Sequence, residues 1–197
     1  MTTGSARFVL ASSSPRRLAL LRQIAHPPDR VVAPAVDETP LPRELPRQYA
    51  ARLARLKADT VAAGLEGEGW YLLAADTVVA CGRRILPKAE TEEEARRCLT
   101  LLSGRRHRVY GGVHLYRWDG RRAARVVVTR VKFKRLSREE FEEYIESGEW
   151  RGKAGGYAIQ GLAAAFVPEI HGSYTNIVGL PLAETVAMLR GLGYRRR

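Results

Sequence analysis

The chain has 197 residues, 45% of them hydrophobic and 27% charged, with a formal net charge of +12. That length supports a single domain over residues 1–197 with a real core, and the composition is that of a soluble globular protein, not a disordered or fibrous one. No run reaches the length of an apolar membrane span, no signal-peptide core stands near the start, and Cys81 and Cys98 form neither a disulfide framework nor a CxxC pair; a cytoplasmic protein without a membrane partner or a zinc site is expected.

Phe8-Val9-Leu10-Ala11 reads as a short buried strand that stops at Ser12-Ser13-Ser14. Ser14 is a good N-cap, Pro15 fits the first helical position, and Leu18, Leu20, Leu21 and Ile24 recur at helical spacing. Free backbone N–H groups, hydroxyls and the Arg16 and Arg17 guanidinium groups then converge on a spot suited to phosphate; the plainer alternative is a capped helix with two solvated arginines. Arg30 to Ala33 reads as a second strand, followed by Asp37-Glu38 and a proline-rich loop to Pro46. A helix is expected from about Arg47 to Ala63, with Tyr49, Leu53, Leu56 and Val61 as its apolar face. Trp70 to Ala75 reads as a strand buried on both faces and ending in Asp76-Thr77, with a hairpin at Cys81-Gly82-Arg83.

Thr91 and Glu94 form a capping box for a helix to Leu102. Arg108 to Tyr116 and Arg121 to Arg135 form a β-hairpin around Trp118-Asp119-Gly120; its second arm turns Val127, Thr129, Val131 and Phe133 one way and Arg130, Lys132 and Lys134 the other. Ser137 and Glu140 cap a further helix that ends near Gly148. Gly152 to Gly161 is glycine-rich, Ala164 to Ile170 reads as a strand, and Pro181 starts the last helix. The Arg195–Arg197 tail is expected to be frayed and solvated.

This order gives an α/β protein, a mixed twisted sheet with helices on its faces. Binding residues in such sheets collect at the carboxyl ends of strands, here Ser12, Asp37-Glu38 and Asp76-Thr77. A carboxylate closing an apolar strand is expensive to bury alone, so Asp76 calls for a cation or a metal. Glu38, after the neighbouring strand, stands with Asp37 in an acidic pair that could share a Mg2+ ion. The alternatives are local: Asp76 capping a turn, Asp37-Glu38 in a solvated loop, Lys57 and Lys88 as exposed charges. Only five of the 33 basic residues are lysines (57, 88, 132, 134 and 153), and in a chain so rich in arginine a lysine can mark a site that needs a compact ammonium.

Taken together, Leu10-Ala-Ser-Ser-Ser-Pro-Arg-Arg17, Asp37-Glu38, Leu53-Ala-Arg-Leu-Lys-Ala58, Ala75-Asp-Thr-Val78, Leu102-Ser-Gly104, Lys153-Ala-Gly-Gly-Tyr-Ala-Ile-Gln-Gly161, Gly172-Ser-Tyr174 and Val178-Gly-Leu-Pro181 resemble the Maf family of nucleoside triphosphate pyrophosphatases. The resemblance implies the α/β fold shared with inosine triphosphate pyrophosphatases, two lobes around a cleft. It implies that Ser12, Arg16 and Arg17 hold phosphates, that Glu38 and Asp76 serve metal and water with Asp76 the proton acceptor, and that Lys57 and Lys88 are further cations. The cofactor it implies is a divalent ion, Mg2+ or Mn2+. One departure stands out: the family usually carries Gly-Lys-Pro where this chain has Pro87-Lys88-Ala89.

Ala154 to Gly161 is similar, differing mainly at Gly156, to the Ala-Gly-Ala-Tyr-x-Ile-Gln-Gly pattern of the branch of the family acting on dTTP and UTP, in which residues matching Arg16, Thr77 and Gln160 are linked to specificity. Uracil and thymine present an acceptor–donor–acceptor edge, and a primary amide can pair with adjacent members of it. The reaction so implied is hydrolysis of the α–β phosphoanhydride, with modified pyrimidine nucleotides or CTP as further substrates. The competing readings are a purine or modified-nucleotide house-cleaning pyrophosphatase, a nucleic-acid-binding module and a cell-division interaction protein. A nucleic-acid module accounts for the charge but not for two carboxylates among the cations, so no specific nucleic acid is expected as a partner. The resemblance allows a homodimer.

Overall fold

The computed structural model describes residues 6–195, so the last two arginines of the basic tail lie outside the described residues. Strand β1 (Arg7–Ala11) lies between β2 (Arg30–Val32) and β3 (Trp70–Cys81) and is parallel to both. Beyond β3 the sheet turns antiparallel: β6 (Arg106–Arg117), β7 (Arg122–Lys132) and β9 (Glu169–His171) follow in order. β4 (Arg84–Leu86) folds back on the far end of β3, giving the order β2-β1-β3-β6-β7-β9 with β4 to one side. A separate ribbon pairs β5 (Lys88–Ala89) with β8 (Lys153–Ala154).

Helices cover both faces, as the alternating sequence pattern requires. On one face α2 (Pro46–Ala62) sets Ala58 and Val61 against Val9, Ala11, Leu72 and Ala74. The other face carries the larger core. There α1 (Pro15–Gln23), α3 (Glu92–Leu102), α4 (Arg138–Ser147) and α6 (Leu182–Gly191) bring Leu21, Leu99, Tyr144 and Leu189 onto Phe8, Leu10, Leu73 and Phe133. Both expected capping boxes form: Thr91 Oγ1 accepts from Glu94 N at 3.3 Å and Ser137 Oγ from Glu140 N at 3.2 Å.

Several elements differ from the sequence reading. β3 does not stop at Asp76 but runs on to Cys81. β1 ends at Ala11, opposite Ala74; β6 pairs with the other edge of β3 from Tyr71 to Ala80, and β4 takes the edge that β1 leaves at Val79 to Cys81. The buried stripe of α2 is Ala50, Leu53, Ala54, Lys57, Ala58 and Val61, while Tyr49 and Leu56 are only partly covered. The cause lies in the sheet. A Cβ on Gly112 would stand 2.1 Å from the Ala50 carbonyl oxygen, so the helix seats its alanines where the strand has no side chain.

Ala164 to Ile170 is not one strand. Leu162–Phe166 forms a 3-10 turn with Ala163 and Phe166 buried, and only Glu169–His171 pairs, as β9. An alanine run has little β preference, and Pro168 has no N–H to offer a ladder. A short helix, α5 (Tyr174–Val178), capped by Ser173, was not evident from the sequence.

Candidate active site

A cleft of about 350 Å³ opens where β1 ends and β3 outruns it. Its walls come from the β1–α1 turn, from Lys57 of α2, from Asp76 and Thr77 of β3, from the β5–β8 ribbon, from the segment reaching Gln160, and from Gly179. Ser12, Arg16, Arg17, Glu38, Lys57, Asp76, Thr77, Lys88 and Gln160 all line it. Pro87-Lys88-Ala89, despite its departure from the family pattern, still delivers Lys88 to this cleft.

Asp76 and Thr77 are neighbours in a strand, so their side chains leave opposite faces of the sheet. Asp76 points toward α2, where Lys57 Nζ meets its Oδ1 at 2.6 Å. The same ammonium lies 2.6 Å from Glu38 Oε1, and Lys88 Nζ bonds the second Glu38 oxygen. Lys88, Glu38, Lys57 and Asp76 thus form one alternating chain of charges. Burial alone pushes the Glu38 carboxyl up; hydrogen bonds from Lys57 and Lys88, with their charges, outweigh it, and the net direction is down. The Glu38 loop is held by α2 as well: the Tyr49 hydroxyl donates to the Glu38 carbonyl, and Arg52 Nη2 donates to the Thr39 carbonyl at 3.0 Å.

Asp37 takes no part, which corrects the acidic-pair expectation. In an extended loop its side chain turns away from that of Glu38, and its Oδ1 accepts from Thr39 N at 2.8 Å in solvent.

Thr77 belongs to the other face, with Arg17. The Arg17 side chain is buried; Nε donates to the Gly179 carbonyl at 2.9 Å, Nη1 to Ser12 Oγ at 3.0 Å and Nη2 to Thr77 Oγ1 at 3.1 Å. Arg17 therefore clamps β1, β3 and the α5 end together, whereas Arg16 is only partly covered and has no side-chain hydrogen bond or ion pair among the described residues. Ser14 is the N-cap residue, yet its side chain makes no cap; its N–H donates instead to Ser12 Oγ at 3.1 Å. No acidic residue occupies the first turn of α1, so the positive end of that helix faces the cleft without a countercharge of its own.

The segment leading to Gln160 is an anchored loop. Gly155 N donates to the Pro87 carbonyl at 2.9 Å and Gly152 N to the Ala89 carbonyl at 2.8 Å. Gly155 has φ +70°, and a Cβ there would stand 2.8 Å from Val79 Cγ1, so only glycine fits this turn. Tyr157 and Ile159 are buried, and Tyr157 Oη is hydrogen-bonded to His107 Nε2 at 2.8 Å inside the core. Gln160 itself is exposed at the cleft rim, with its amide free of partners among the described residues.

Two cationic wall residues were not singled out from the sequence, Arg151 and Lys153. The one signal for the second was its survival as a lysine in an arginine-rich chain. The Gly179 carbonyl was also missed, since a backbone acceptor has no residue signature.

Among solved structures, a HAM1 protein from Coxiella burnetii superposes with a TM-score of 0.52 at 17% identity, covering 94% of this chain and 99% of that one; the likeness is one of fold. Curated relatives stand much nearer. The dTTP/UTP pyrophosphatase of Paramagnetospirillum magneticum is 63% identical over 187 residues, 95% of this chain and 97% of the relative. That of Mesorhizobium japonicum is 59% identical over 193 residues, 96% of this chain and 93% of the relative. That of Caulobacter vibrioides is 58% identical over 195 residues, 99% of this chain and all of the relative. The family model described as Maf-like protein matches residues 7–192, a span that contains every wall of the cleft, and the chain belongs to the Maf family.

Proposed function

We propose that this cleft hydrolyses the α–β phosphoanhydride of dTTP and UTP, releasing the nucleoside monophosphate and pyrophosphate. The observation that carries the reading is a buried carboxylate, Asp76, fixed by Lys57 among cationic side chains and free helix N–H groups. Relatives that are more than half identical over nearly the whole chain bear the name dTTP/UTP pyrophosphatase. The substrate carries about four negative charges near neutral pH, so positioning and charge neutralisation dominate the work required.

Asp76 orients a water and takes its proton as the water oxygen bonds to the α-phosphorus. The bond from that phosphorus to the bridging oxygen then breaks, and pyrophosphate leaves with the electron pair. Lys57 holds Asp76 and Glu38 in register. Arg16, the first-turn N–H groups of α1 and Ser12 receive phosphate oxygens, while Arg17, buried beneath them, keeps Ser12 and Thr77 in place. Gln160 at the rim meets the base, with its amide donating to a carbonyl and accepting from N3–H.

Glu38 and Asp76 are a pair of hard oxygen donors, and no group of three or more His, Cys, Asp or Glu side chains suited to a metal occurs among the described residues. Such a donor set fits Mg2+ or Mn2+ completed by substrate oxygens. When bound, the ion would neutralise charge on the phosphates.

A pyrophosphate-release assay on dTTP, UTP, CTP, GTP and ATP tests the reading, each with Mg2+, with Ca2+ and with excess chelator. Release should be fastest on dTTP and UTP, weak with Ca2+ and absent with chelator. Release of inorganic phosphate alone, or a purine preference, would refute it.

A further inference from the structure

Six cationic side chains line the cleft (Arg16, Arg17, Lys57, Lys88, Arg151 and Lys153) against two carboxylates, Glu38 and Asp76. Their charges are committed unequally. Lys57 is bonded to both carboxylates and Lys88 to Glu38. Arg17 directs its fork at Ser12, Thr77 and Gly179. Arg151 lies over the Trp150 ring, 5.0 Å from its centroid. Arg16 and Lys153 remain. Arg16 has no side-chain partner among the described residues, and Lys153 Nζ has one neutral bond, to the Arg151 carbonyl at 3.0 Å.

These two cations act on each other. Burial first, and the Arg16 charge second, push the Lys153 ammonium down from its ordinary value, while Glu149 and Glu90 oppose with smaller effect. Burial pushes Arg16 down too. Two positive charges lining one cleft, partly desolvated and neither in an ion pair among the described residues, disfavour the empty cleft, and an anion between them relieves that cost. Both are mounted on fixed elements. Arg16 stands in the first turn of α1, and Lys153 pairs with Ala89 in the ribbon that also carries Lys88.

We propose that Lys153 is a substrate-binding residue that, with Arg16, clamps the phosphate chain at two points. The proposal rests on reading the cleft as a nucleoside triphosphate site, and a probe without a base separates the two claims. Calorimetric titration with inorganic tripolyphosphate, in the presence of Mg2+, is compared for wild type, Lys153→Gln and Lys153→Arg. In Lys153→Gln affinity should fall roughly tenfold to a hundredfold, as expected for one charge-assisted contact. Lys153→Arg, which keeps the charge but not the shape, should recover part of it.

KM for dTTP should rise by a similar factor in Lys153→Gln, with the ratio of dTTP to GTP kcat/KM unchanged because the base contacts remain. Its Tm should equal or exceed that of wild type, since a repulsion has been removed; a purely structural lysine would give the opposite sign. Unchanged tripolyphosphate affinity in Lys153→Gln, or no tripolyphosphate binding by wild type, overturns the clamp. A Lys153-dependent affinity for tripolyphosphate in a protein that does not turn over dTTP would support the clamp and refute the nucleotide reading.

Discussion

Lys57 and Lys88 carry the same charge in the same cleft, but burial separates what they contribute. The Lys57 side chain is 7% exposed and the Lys88 side chain 47%. Removing one partner of a buried pair leaves uncompensated charge and costs about 3–5 kcal/mol, whereas an exposed pair is worth less than about 1 kcal/mol. Lys57→Met should therefore lose stability and activity together, and Lys88→Met chiefly activity, as read by denaturant unfolding beside steady-state kinetics. Gln160→Glu keeps an acceptor but turns a carboxylate toward a base carbonyl. It should lower kcat/KM for dTTP and UTP about ten- to a hundredfold, with CTP and GTP less affected; an equal fall on all four would remove Gln160 from base reading. At this scale the sequence was informative where the cause is local. Pro15 and three serines announce a helix start within a few residues. It could not separate Arg16 from Arg17, because Thr77 and Gly179, which hold Arg17, come from far along the chain.

Among the elements, α2 decides the geometry of the cleft. Its stripe of Ala50, Ala54 and Ala58 lets the helix lie close to the sheet and carries Lys57 onto Asp76. Gly112 is the cross-strand partner of Asp76 on β6, so the same missing side chain admits the helix and leaves Asp76 reachable. Gly112→Ala should force α2 outward, costing about 1–3 kcal/mol and lowering kcat through the displaced Lys57. A variant with parental unfolding free energy and kcat would show that the close approach is dispensable. The helix was legible from its periodicity almost to its ends, but its buried face only in part: Leu53 and Val61 are buried as expected, whereas the alanines beside them were not foreseen. Hydrophobicity favours Tyr49 and Leu56, and only the glycine on a strand distant in sequence explains why alanines face inward. The 3-10 turn at Leu162–Phe166 escaped for a similar reason: a short apolar run looks alike in a strand and in a tight turn, and Pro168 is its one local clue.

Over the whole molecule, stability and charge both depend on pH. Burial pushes the His107 ring down from 6.5 to about 4, and burial also lowers His114. Well above pH 6.5 neither the folded nor the unfolded state protonates His107 appreciably, so it contributes no slope there. Between the two values the unfolded chain binds the proton and the folded one does not. Stability should then fall with falling pH, by about 1.4 kcal/mol per unit from this residue. Denaturant unfolding at a series of pH values should show that slope in wild type and a shallower one in His107→Phe; equal slopes would contradict the assignment. If Asp76 drives cleavage of the α–β bond, phosphorus NMR of dTTP turnover by wild type and Asp76→Asn, with dTTP binding measured alongside, will show it. Wild type should yield dTMP and pyrophosphate, and Asp76→Asn should show no turnover despite retained or tighter binding. Formation of dTDP and phosphate, or a variant kcat within a few-fold of the parent, would contradict it.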